Sequence, residues 1–120
     1  MNENKLITVL TPTYNRANLL PNLYNSLIAQ EENNFNWLII DDGSSDNTKE
    51  LVESWINEKE VDIRYHYQNN KGMHGAHNTA YELIDTQINT CIDSDDYMTD
   101  DAVEKIVEFW KSNRNRGLAG

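Results

Sequence analysis

The run Trp37-Leu38-Ile39-Ile40 has no polar break, and it stops abruptly at Asp41-Asp42-Gly43-Ser44-Ser45. A strand with water on one face alternates apolar and polar residues, so a continuous apolar run that breaks into turn residues reads as a strand buried on both faces. Such strands belong to parallel sheets covered by helices. Three further runs follow suit. Leu6 to Leu10 is β-rich and is expected to stop at Thr11-Pro12-Thr13, because proline withdraws a ladder donor. Val61 to Tyr67 alternates like a strand with one wetter face, and Ile88 to Ile92 is a short strand that ends in Asp93-Ser94-Asp95-Asp96.

Between the strands lie helical patterns. With Asn18 as the expected cap, Leu20, Leu23, Leu27 and Ile28 share one face, and Pro21 is tolerable in a first turn, whose amides have no intrahelical partner. Asp46 is expected to cap a second helix carrying Leu51, Val52, Trp55 and Ile56. Gln68 to Gly75 reads as a polar loop before a third helix from about Ala76 to Asp85. Ala102, Val103, Ile106, Val107 and Trp110 mark a fourth, with acids at its start and Lys111 at its end, as the helix dipole favours. The order βαβαβαβα predicts an α/β fold in a single domain spanning residues 1–120. Its sheet should be mostly parallel and Rossmann-like, with helices on both faces and right-handed crossovers. In such sheets the loops leaving the carboxyl ends of the strands share one edge, where ligands bind. Thr11 to Arg16, Asp41 to Asp46, Asn69 to Asn78 and Asp93 to Asp96 should therefore meet in one crevice.

Charge narrows the partners. Twenty Asp and Glu oppose ten Lys and Arg, a net charge of -10, which argues against nucleic acid or an anionic membrane surface and favours divalent cations. No apolar run approaches the roughly 20 residues that cross a bilayer, so no membrane span is expected. The start MNENKLITVL lacks the pattern of a signal peptide, and the lone Cys91 has no internal disulfide partner. A cytoplasmic protein is expected, peripheral at the inner face of the membrane if it meets one at all. Cys91, within a strand, reads as a small core residue rather than a nucleophile.

Three carboxylates within Asp93-Ser94-Asp95-Asp96 repel one another unless a cation, a proton or water relieves them. Magnesium or manganese suits this group, taking one or two protein carboxylates and completing its shell with water and phosphate oxygens. A solvated acidic turn is the plain alternative. A calcium loop fails, since the position that needs glycine is Met98. Asp41 and Asp42 end a strand, where a carboxylate can accept from a base imide or a ribose hydroxyl, or can serve the turn with Gly43 and Ser44. Tyr14 could stack on a base or pack beside Pro12. The segment Lys71-Gly72-Met73-His74-Gly75-Ala76-His77-Asn78 offers backbone near a helix N-terminus for phosphate oxygens, while His74 and His77 read as solvated or hydrogen-bonded side chains. No P-loop and no G-x-G-x-x-G is present.

Four motifs thus stand in order: Thr8 to Arg16, Ile39 to Asp46, Asn70-Lys71-Gly72 through Asn78, and Ile92 to Asp96. Together they resemble the family 2 glycosyltransferases of the GT-A fold, over nearly the whole chain. The resemblance implies an inverting, metal-dependent, hexosyltransferase-like enzyme of cell-surface polysaccharide or glycan synthesis. Its donor would be a nucleotide-diphosphate-sugar, UDP-sugar first, and its acceptor a glycan or a lipid-linked acceptor. By the same resemblance Pro12 and Tyr14 border the base, Asp41 accepts from its imide with Asp42 nearby, and Asp93 and Asp95 form a D-x-D for ribose and the Mg or Mn diphosphate. Asp95 is the first metal ligand to consider and Asp96 the second. His77 stands where the family commonly has arginine, so Lys71 is expected to supply positive charge at the diphosphate. The family's enzymes continue well past a fourth helix. This chain is accordingly expected to be the donor-binding half, lacking the acceptor-binding part and its general base, and inactive by itself. A non-catalytic nucleotide-binding or interaction module of the same fold is the alternative. A phosphotransferase with a nucleophilic D-x-D ranks below both, because its motif would follow the first strand.

Overall fold

The computed structural model describes residues 6–32, 34–69, 72–84, 86, 88–96 and 98–114, with the backbone alone at 73, 74, 77, 113 and 114. Strands and helices alternate: β1 (Ile7–Thr13), α1 (Leu20–Ile28), β2 (Phe35–Asp41), α2 (Thr48–Glu58), β3 (Ile63–Tyr67), α3 (Gly72–Leu83), β4 (Ile88–Cys91) and α4 (Ala102–Arg114). The four strands form one parallel sheet in the order β3-β2-β1-β4. The chain therefore winds outward from β1 through β2 to β3, then returns to place β4 on the other side of β1. The strand order reverses between β1 and β4.

Period-two side-chain alternation sorts the strands onto two layers. Ile7 and Val9 of β1 with Phe35, Trp37 and Ile39 of β2 face the larger core, which α1, α2 and α4 fill with Leu23, Leu27, Val52, Trp55, Val103 and Val107. Leu10, Leu38 and Ile40 face the other way and meet Ala76 and Ala80 of α3. The fully buried Trp37 ties the larger layer together. Its indole donates to Thr11 Oγ1 at 2.9 Å. Tyr24 of α1 and Trp55 of α2 stack with ring centroids 4.1 Å apart, and both lie parallel to Trp37. Each such pair adds about 0.5–1.5 kcal/mol beyond area burial. The stack fixes the two helices that follow the β1 and β2 loops.

Several elements begin or end away from their expected positions. β1 runs through Pro12, which pairs in register with Ile40. Along β1, Leu10 turns its carbonyl to the β4 side, where it accepts from Ile92 N, and Thr13 turns its carbonyl to β2, where it accepts from Asp42 N. Pro12 shares the side of Leu10, and β4 has already ended there, so its missing donor costs no ladder bond. Helix α1 is entered at Leu19 rather than Asn18, through a tight turn in which Leu19 N and Leu20 N both donate to Arg16 O. β3 opens at Ile63, two residues after Val61. Ile56 of α2 is exposed rather than on the packed face, and Cys91 is exposed rather than in the core. Helix α3 starts at Gly72, four residues before Ala76, so the second half of the expected loop is helix. Gly72 has φ +78°, a left-handed backbone that glycine adopts without strain. Its amide donates to the Asp42 carboxylate at 2.8 Å, so an anion from the residue after β2 caps α3.

Candidate functional site

The reversal of strand order opens a cavity of about 440 Å³ at the carboxyl ends of the strands, on the α3 side of the sheet. Each strand contributes through the loop or helix that follows it. From β1 come Pro12, Thr13, Tyr14 and Arg16; from the end of β2, Asp42; from α3, Gly72 and Ala76; from the turn after β4, Asp93, Ser94 and Asp95. The loops expected to meet do meet.

The loop after β1 is held by the loop after β2. Asn15 has φ 52°, a conformation that asparagine tolerates better than most residues. Its Oδ1 accepts from Ser45 N at 2.8 Å, and its own amide donates to Ser44 Oγ at 2.8 Å. Asp46 accepts from Ala17 N through one oxygen and from Thr48 N and Oγ1 through the other. Asp46 thus reaches the first amide of α2 from one position before the helix's formal cap, Asn47. Burial raises the Asp46 carboxyl, but the hydrogen bonds from Thr48 and Ala17 outweigh it and leave the group below the usual carboxylate range. Ser44, Ser45 and Asp46 therefore latch one loop to the other and leave Tyr14, which is 47% exposed, over the cavity.

The adjacent acids at the end of β2 part company. Asp41 points into the larger layer and has no solvent exposure. Its Oδ1 accepts from Ser44 N at 2.9 Å, and its Oδ2 accepts from the Tyr65 hydroxyl. Burial and the Asp41 hydrogen bond both push the Tyr65 hydroxyl up, so it stays a donor. Asp42 points to the α3 side and lines the cavity, with Oδ1 accepting from Gln68 Nε2 at 3.0 Å and Oδ2 from Gly72 N. The cavity-facing acid is Asp42, while Asp41 takes the turn role.

After β4, Asp96 N donates to Asp93 O at 3.0 Å, forming a tight turn that gathers the Asp93, Asp95 and Asp96 carboxylates within 4.8 Å of one another. All three are exposed. Asp93 and Asp95 line the cavity, and Asp96 stands beside it. An all-oxygen carboxylate set of this kind fits a hard divalent cation such as Mg or Mn. Arg16 Nη1 lies 3.9 Å from Asp95 Oδ2, which brings a guanidinium from the β1 loop to the acidic turn. An exposed pair at that distance contributes little stability, so its interest is one of position. The Cys91 thiol is pushed up by partial burial and by the Asp93 charge, which disfavours the thiolate.

Of the residues singled out from sequence, Pro12, Tyr14, Asp42, Asp93 and Asp95 share the cavity; Asp41 lies outside it, Asp96 at its rim, and Lys71 outside the described residues. His74 and His77 fall in the first turns of α3. Arg16 and Gln68 drew no role from sequence reasoning. Arg16 sits inside the Thr-Tyr-Asn-Arg run that closes β1, a signal that was available, whereas Gln68 reads as one more loop amide.

Comparison with known proteins agrees with this geometry. GlyA of Streptococcus pneumoniae serotype 4, a glycosyltransferase, is 36% identical over 107 residues, covering 86% of this chain and 15% of that protein. The teichoic acid poly(glycerol phosphate) polymerase of Staphylococcus epidermidis is 31% identical over 116 residues, covering 96% of this chain and 16% of its own. Among solved structures, S. aureus TarS 1-349 in complex with UDP superposes with a TM-score of 0.83 at 26% identity, over 91% of this chain and 33% of that one. The chain thus spans a third or less of each of these proteins. Residues 8–120 match the pattern that defines Glycosyl transferase family 2, from β1 to beyond α4. With its parallel sheet, its crevice at the strand reversal and its acidic turn after β4, the chain belongs to that family.

Proposed function

We propose that the crevice binds a nucleoside diphosphate-sugar, and that the chain is the donor-binding part of an inverting glycosyltransferase that builds a cell-surface polymer. One observation carries the reading: an aromatic side chain, a buried carboxylate and an acidic turn line the same cavity from three separate loops. TarS, solved in complex with UDP, supports the donor class, and the teichoic acid polymerase supports the product class.

In this reading Tyr14 stacks on the base beside Pro12, and Asp42, rather than Asp41, accepts the base N–H. Asp93 lies next to the ribose. Asp95, with Asp93 and Asp96, would hold Mg or Mn, which when bound offsets the charge developing on the departing diphosphate. Arg16 exchanges Asp95 for a phosphate oxygen, and Lys71, the residue before Gly72 in the sequence, adds positive charge for the diphosphate. The acceptor hydroxyl needs a general base, and we assign none among the described residues. These 120 residues alone are therefore expected to bind donor and transfer little.

Titration calorimetry with uridine and guanosine diphosphates in manganese tests this. One of the two should bind measurably, and Asp95→Ala should reduce its affinity by about tenfold or more, as loss of a charged ligand does. Equal heats from the variant would remove the site.

A further inference from the structure

We infer that Gln68 is a positioning residue of this site, and that its side-chain amide aims the Asp42 carboxylate at the N–H of the donor's base. The inference rests on the nucleotide-sugar reading above and adds how the base is told apart. Gln68 lies one residue beyond β3, is only 7% exposed, and extends the sheet by donating its backbone amide to Asp41 O at 2.9 Å. Its Nε2 donates to one oxygen of Asp42, and the first amide of α3 donates to the other. Two segments, each bonded to a different oxygen, therefore hold the carboxylate. Both bonds place donors on its oxygens, so Asp42 offers acceptors to the cavity and not a hydroxyl proton.

The far end of the same amide argues for this role. Gln68 Oε1 is buried and has no hydrogen-bond partner among the described residues. A buried, unpaired acceptor is costly, and an apolar side chain of the same length would avoid that cost. What glutamine supplies here that methionine does not is the donor to Asp42. An acceptor held in this way suits uracil or guanine, whose reading edge carries a ring N–H. It is mismatched to a base lacking that hydrogen, because a buried polar group left unpaired discriminates strongly.

The test compares whichever of uridine or guanosine diphosphate binds better with its form methylated on that ring nitrogen, in manganese, by calorimetry. The wild-type chain should prefer the unmethylated nucleotide by about tenfold or more. In Gln68→Met and Gln68→Glu that preference should fall to about twofold, chiefly through weaker binding of the unmethylated form. A general structural defect would weaken both nucleotides alike and leave their ratio intact. A second readout needs no variant: the Gln68 side-chain amide resonances of the wild-type chain should shift with the unmethylated nucleotide and stay in place with the methylated one. If neither nucleotide binds the wild type, the reading of the crevice fails and this inference with it. If the nucleotide binds but methylation is ignored, the ratio survives in the variants, or the amide resonances do not move, the role of Gln68 is overturned and the nucleotide site stands.

Discussion

At the scale of single residues, the instructive pair is Asp41 and Asp42. Both are acids at the end of a buried strand, and composition, spacing and turn chemistry treat them alike. Period-two alternation sends them to opposite faces of the sheet, and only the face that carries the crevice decides which can meet a ligand. That face depends on where α3 packs, which is a long-range fact. The acid proposed to read the base is therefore Asp42 rather than the expected Asp41, which is enclosed by Ser44 N and the Tyr65 hydroxyl. Asp41→Asn should lower stability by about 1.5–3 kcal/mol, the range for hydrogen bonds to a charged group, and leave nucleoside diphosphate affinity within about twofold. Denaturant unfolding alongside calorimetry separates the two roles; a variant of undiminished stability that no longer binds would restore Asp41 to the site.

At the scale of elements, hydrophobic periodicity located the four strands and four helices of the described residues, and it failed at several of their ends. The failures share a cause. Pro12 stays in β1 because β4 is too short to ask for its missing donor, and α3 starts as early as Gly72 because Asp42 caps it from outside the helix. Neither partner is visible within a local window. The Asp46 cap is the converse case, legible beforehand but with a second function, since it also holds Ala17 of the preceding loop. Its carboxyl titrates below the usual range, so the folded state binds that proton more weakly than the unfolded chain does. The stabilisation is present above the unfolded value of 3.8 and is lost as pH falls through the lower, folded value. Melting curves of the wild type should therefore converge on those of Asp46→Asn between about pH 4 and pH 2, by a modest amount because the residue is exposed. Curves that stay parallel across that window would show that Asp46 titrates normally.

At the scale of the whole molecule, the alternation of strands and helices was legible in the sequence, as were the parallel sheet and the meeting of the loops on one edge. The order β3-β2-β1-β4 was not, because strand spacing says nothing about which side of β1 receives β4. Yet that order makes the cavity: had β4 followed β3 outward, β2 and β3 would stand between Asp93 and Asp95 on one side and Tyr14 and Arg16 on the other. The placement of α1, α2 and α4 on one face and of α3 on the other likewise emerges only from packing, and among the described residues it leaves the carboxyl edge of the α3 side open to a ligand. The central claim is that three loops and the start of α3 form one binding site at that edge. Paramagnetic broadening of amide resonances by Mn2+, with and without uridine or guanosine diphosphate, tests it most directly. The account predicts nucleotide-enhanced broadening at Tyr14, Asp42, Gly72 and Ser94, with Lys59 and Val61 at the opposite edge of the sheet unaffected. Broadening confined to Asp93, Asp95 and Asp96, indifferent to nucleotide, would contradict it.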